Sequence, residues 1–124
     1  MDQGLLKGGS CRFNGNCGAA VGTGIFVSLA TGATPLSRVE WRLANLMTSE
    51  SLRAIAGLGG PRCCKRDVFL ALQSAVTFLN TELDVALPVE EPVVCEFSAL
   101  NCECLKEACP FFRSELSRPG VPLL

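Results

Sequence analysis

Cysteine is the residue type in this chain best able to do chemistry, and it occurs eight times in 124 residues. The cysteines fall into two groups along the sequence: Cys11, Cys17, Cys63 and Cys64, then Cys95, Cys102, Cys104 and Cys109. Four thiolates complete a tetrahedral zinc site or ligate an iron–sulfur cluster, so two such groups point to metal or redox chemistry. No C-x-x-C spacing occurs, which counts against a zinc ribbon or a ferredoxin-type loop. Any site must be assembled from segments distant in sequence. Histidine is absent, and with it go Ser-His-Asp and Cys-His nucleophilic sites, HExxH zinc sites and His-ligated haem or copper.

Each cysteine also has a plain alternative, because a free thiol often serves as a small buried hydrophobe. Cys17 opens an apolar helix whose free amides and dipole favour a thiolate. Cys63 and Cys64 are flanked by Arg62, Lys65 and Arg66, so at least one of the pair is expected to ionise below the reference value of about 8.5. A disulfide between such neighbours closes a strained ring and suits a switch better than a staple. Cys11, Cys17 and Cys63-Cys64 are expected to converge, with the loop before the first helix beside the Gly59-Gly60-Pro61 break. For the last group, Pro110-Phe111-Phe112 would supply an apolar shield. Gly22-Thr23-Gly24 lacks the dinucleotide fingerprint and reads as a close helix contact. Gly59-Gly60-Pro61-Arg62 reads as a helix break rather than a phosphate cradle. Glu90-Glu91 and the pair Glu103 and Glu107 read as solvated, with no carboxylate pair for acid–base work.

The elements that must position these thiols are helical. Residues 1–16 read as a Gly- and Asn-rich loop, and a first helix over about residues 18–31 as apolar all round. Ser37-Arg38-Val39-Glu40 has the form of a capping box opening a second helix, with Val39, Leu43 and Leu46 on one face. A third begins at Thr48 or Ser49, carries Leu52, Ile55 and Ala56, and stops at Gly59-Gly60-Pro61. The fourth is the most regular, with Val68, Leu72, Ala75, Leu79 and Leu83 on a stripe widened by Ala71 and Phe78. On that reading, Leu72→Asp costs several kcal/mol by burying an unpaired charge. Residues 85–94, with two prolines, form a linker or short edge strand. A short tail helix around residues 101–108 stops before Pro110.

The chain length fits one domain. With 48 % hydrophobic and 19 % charged residues it can build a core. A net charge of −1 offers no electrostatic footprint for nucleic acid. The uncharged run from Phe13 to Ser37 has a strongly apolar part too short and too glycine-interrupted for a membrane span. MDQGLLKGGS lacks the apolar region of a secretory signal, so a cytoplasmic setting with reduced thiols is expected.

The run CRFNGNCGAAVGTGIFVSLATGATPLS, with W..AN.MT, GGPRCCKRD and CEFSALN.ECL...CPFF, resembles a cysteine-rich domain-of-unknown-function family, DUF5714. A looser likeness links GNCGAAVGTG to small proteins with a C-GCAxxG-C-C pattern, which implies redox activity. The first resemblance covers residues 9–112 and carries over Cys11, Cys17, Cys63, Cys64, Cys95, Cys104 and Cys109 as metal or redox residues. Cys102 stands where the family pattern has another residue. The resemblance implies an origin in anaerobes and a protein partner, either redox, methyltransferase-like or a radical-enzyme domain. Longer members carry an N-terminal Cys-rich segment, which implies a short paralogue or a fragment here.

The resulting expectation is an all-α, single-domain bundle of about four to five helices. It comprises a loop (1–16), a helical core (17–84), a Cys-rich tail (85–112) and a flexible end (113–124). Its role is that of a cysteine-based redox or iron–sulfur/metal-binding accessory protein, able to self-associate. The alternative is a non-catalytic interaction or structural module whose cysteines bind zinc or form disulfides.

Overall fold

The computed structural model describes residue 9 and residues 11–114. The chain is all-α, and the described residues contain no strand. A four-residue helix, α1 (Cys11–Asn14), precedes three long ones: α2 (Gly18–Thr31), α3 (Val39–Leu58) and α4 (Cys64–Glu82). Short 3-10 turns follow at Ser98–Leu100 and Lys106–Ala108. None of these helices is long and apolar enough to cross a membrane.

The three long helices pack pairwise on one another, with α3 and α2 in the most extensive contact. Their shared core is Val27 from α2, Leu43, Ala44 and Met47 from α3, and Ala75, Phe78 and Leu79 from α4. Two small-residue contacts set the α2–α3 approach. Gly24 lies directly against Thr48 and the Ala44 carbonyl. The buried hydroxyls of Thr23 and Ser51 pair at 2.8 Å, and Thr23 also donates to Ala20 O at 2.7 Å. Ser51→Ala removes one net hydrogen bond while Thr23 keeps its carbonyl partner, so a loss of about 0.5–1.5 kcal/mol in urea denaturation is expected.

Several expectations need correction. The second and third helices are one, because no Gly or Pro stands between Val39 and Ala56 to divide them. Thr48 and Ser49 do not start a helix. Their hydroxyls donate back to the carbonyls of Ala44 and Leu46 within it. Ser37 does not cap α3; its hydroxyl accepts from the Thr34 N–H at 3.0 Å, closing the turn before the helix. Residues 11–14 of the expected loop are helical, and residues 1–8 and 10 lie outside the described residues.

The apolar surface of α2 is not all buried, since Phe26 and Leu29 are exposed. On α4 the buried stripe runs through Ala71, Ala75, Phe78 and Leu79, whereas Leu72 is 56 % exposed. Leu72 borders an open groove shared with Val89 and Val93 of the 85–94 segment. The large penalty expected of Leu72→Asp therefore has no buried site to act on. That segment is not an edge strand. Asn80 holds it, accepting from the Leu87 N–H and donating to the Leu87 carbonyl. Of the expected tail helix, only the turn Lys106–Ala108 forms. Most of the flexible end expected at 113–124 lies outside the described residues.

The tail is nevertheless fixed to α4. Phe111 is buried and meets Phe69 edge-on, centroids 5.2 Å apart. The Cys95 N–H donates to Phe111 O at 2.7 Å, closing the segment into a loop. Leu105 sits against Gly60, whose φ of +81° suits glycine and whose missing Cβ leaves room for that side chain.

Candidate functional site: two cysteine centres

The break between α3 and α4 is the hinge of the site. Arg66, in the first turn of α4, is 4 % exposed and folds back over it, donating to the carbonyls of Gly59 and Pro61. That staple orients Pro61-Arg62-Cys63. Cys63 becomes the N-cap residue of α4, facing the tail, while Arg62 points toward the α1 region.

On the tail side a small cavity of about 30 Å³ is lined by four cysteines, Cys63, Cys95, Cys104 and Cys109, together with Lys65 and Arg66. The enclosed space is that of one or two water-sized atoms. Three of the four sulfurs accept N–H hydrogen bonds. The Phe97 N–H donates to Cys95 Sγ and the Lys106 N–H to Cys104 Sγ, each at 3.4 Å. Asn101 Nδ2 donates to Cys63 Sγ at 3.5 Å. Lys65 packs its ammonium over Phe97, 4.2 Å from the ring centroid. Arg66 Nε is buried without a hydrogen-bond partner. The expected Pro110-Phe111-Phe112 shield is present in part, since Phe111 and Phe112 line the cavity.

On the other side of the break lie the remaining members of the first sequence group. Cys17, the N-cap residue of α2, directs its thiol to Asp67 Oδ2 at 3.8 Å. Arg62 Nη1 donates to Cys11 Sγ at 3.9 Å, and its guanidinium also stands near Cys64 and Asp67. The loop before α2 and the Gly-Gly-Pro break thus do lie side by side. Asp67 is 5 % exposed, and burial pushes its carboxyl above the ordinary aspartate value. Arg66, the Cys17 hydrogen bond and Arg62 pull the other way.

The two sequence groups are therefore re-sorted in space. Cys63 joins Cys95, Cys104 and Cys109, while Cys11 and Cys17 lie with Arg62 and Asp67. Cys64 is exposed beside Arg62, and Cys102 is exposed. All eight thiols are free. Among the described residues, no three Cys, Asp or Glu side chains stand close enough together to hold a metal ion as placed. Asp67 and Asn101 were missed in the sequence. Asp67 could have been suspected from its place in the first turn of a helix opened by two cysteines.

No curated protein and no solved structure matches the chain. The sequence pattern of a family of unknown function, DUF5714, matches residues 3–112. The cysteines of both centres lie within that span, and the chain belongs to this family.

Proposed function

We propose that the protein is a metal-binding accessory module whose centre is one soft metal ion held by Cys63, Cys95, Cys104 and Cys109. The observation that carries this reading is that four cysteines, one from the break before α4 and three from the tail, line one cavity. N–H donors already aimed at three of the sulfurs support it, because such bonds are the usual outer support of metal–thiolate centres. A single ion asks for less rearrangement of these walls than an iron–sulfur cluster would. Lys65 and Arg66 would offset the excess negative charge of four thiolates around a divalent cation. Binding requires the cysteine side chains to turn inward from their present positions. A bound zinc would lock the tail to α4, whereas iron would add one-electron chemistry.

Metal analysis of the full chain, prepared anaerobically and reconstituted separately with zinc and with ferrous iron, tests the assignment. About one ion per chain is expected, lost on Cys63→Ser or Cys104→Ser and retained on Cys102→Ser, whose thiol is outside the cavity. Colourless protein with zinc alone identifies a structural centre, and thiolate-to-iron charge-transfer bands identify a redox one. Metal content unchanged by Cys63→Ser and Cys104→Ser, or no retention of either metal, would overturn the assignment.

A further inference from the structure

We propose that Cys17 and Cys11 form a dithiol–disulfide exchange centre, separate from the four-cysteine cavity, in which Cys17 is the nucleophile and Asp67 its proton acceptor. Three contacts bring the parts together: Cys17 thiol to Asp67 carboxylate at 3.8 Å, Arg62 guanidinium to Cys11 sulfur at 3.9 Å, and Arg66 to Asp67 at 3.9 Å. The two cysteines come from one short segment, Cys11 at the start of α1 and Cys17 just before α2, and each meets a charged residue of the α3–α4 junction, Arg62 or Asp67. Both are half-buried, and Asn14, Gly15 and Asn16 between them are exposed. A disulfide can therefore reach the sulfurs.

The chemistry balances with a disulfide as the oxidising partner. The Cys17 thiol gives its proton to the Asp67 carboxylate, and the thiolate attacks one sulfur of R–S–S–R′. A Cys17–S–S–R bond forms as R–S–S–R′ breaks, and R′S⁻ leaves with the proton returned by Asp67. Cys11, its sulfur held beside the Arg62 cation, then loses its own proton to water and attacks Cys17 Sγ. The Cys11–Cys17 disulfide forms and RSH departs. Two protein thiols are oxidised and one partner disulfide is reduced.

A proton acceptor here must be shielded yet able to take and return a proton. Asp67 fits, being buried, with a carboxyl whose hold on its proton is strengthened by desolvation. The charged groups that act on it are Arg66 on α4, Arg62 on the break and the Cys17 thiol at the start of α2.

Fully reduced chain, mixed with oxidised glutathione in one arm and insulin in the other, tests this in a single turnover followed by acid quench, alkylation and peptide mapping. A Cys11–Cys17 disulfide is the expected product, and the faster arm tells whether the partner class is a small or a protein disulfide. Cys11→Ser should trap the mixed disulfide on Cys17, and Cys17→Ser should slow the first step at least tenfold. Asp67→Asn should slow it by about tenfold or more near neutral pH and remove one inflection from the pH–rate profile. Mapping on the parent chain needs no variant to fold. A first adduct on any cysteine other than Cys17, or an unaltered pH profile in folded Asp67→Asn, would refute the proposal.

Discussion

Arg66→Met is expected to destabilise the fold by about 3–5 kcal/mol at neutral pH, the range for removing one partner of a buried ion pair. Methionine keeps the aliphatic stem, so the loss is one of charge and hydrogen bonds rather than volume. Arg66 Nη2 is the donor to Gly59 O and Pro61 O, and its Nε is 3.9 Å from Asp67 Oδ1. Without it, two carbonyls of the α3–α4 break lose their donor and Asp67 remains buried without its nearest cation. The pH dependence follows from Asp67. Its carboxyl binds a proton more tightly folded than unfolded. Stability from this group is therefore fullest at low pH and is lost as pH rises from the unfolded value through the raised folded one. Arg66→Met should steepen that loss, and adding Asp67→Asn should flatten it and restore much of the stability. Urea denaturation at several pH values checks both. A neutral-pH cost under about 1 kcal/mol would mean that the pair contributes nothing and that the break is held by other contacts.

The helices were legible because their signals are local. Gly32 ends α2 with a φ of +68°, as glycine after an apolar run leads one to expect. Gly59-Gly60-Pro61 separates α3 from α4 where the sequence places a break. The continuity of α3 was hidden because Thr48 and Ser49 look like starting residues, and only the helix around them shows their hydroxyls bonding backwards. The α4 stripe was right from Ala75 to Leu83 and misplaced in its first half, for a different reason. Small Ala71 and charged Arg66 and Asp67 hold the inward positions at its first half, so apolar Val68 and Leu72 mark the wrong face. Hydrophobic periodicity has no means of recognising a buried ion pair.

The candidate site was legible in kind and not in partnership. Eight cysteines announce thiol chemistry, but neighbours in sequence are not neighbours in space. Cys63 and Cys64 are adjacent residues, yet the chain direction at the start of α4 sends Cys63 to the tail and leaves Cys64 exposed beside Arg62. The three flanking cations also diverge. Arg62 goes to Cys11, Lys65 to Phe97, and Arg66 to the carbonyls of the break. No rule of spacing sorts these before the helices are packed.

Gly24→Val is expected to cost about 3 kcal/mol or more, the upper range for overpacking a close contact. A Cβ at position 24 would lie 1.8 Å from Thr48 Oγ1 and 2.9 Å from Ala44 O. The first clash can be relieved by altering Thr48. The second is with backbone and can be relieved only by moving α3 away from α2. That movement would loosen Val27 and Met47, both fully buried, and pull apart the Thr23–Ser51 hydroxyl pair one turn along. Helix propensity argues in the opposite direction, since replacing a mid-helix glycine by alanine ordinarily gains about 0.5–1 kcal/mol. Gly22 supplies the control on the same helix, because a Cβ there meets nothing within 4 Å. Gly22→Ala should therefore stabilise the fold by that propensity gain while Gly24→Ala destabilises it. Combining Thr48→Ala with Gly24→Ala should recover only part of the loss, the part due to the hydroxyl. Thermal and urea unfolding of the four variants read these signs directly. Equal stabilisation by the two alanines would place the α2–α3 contact elsewhere on α2.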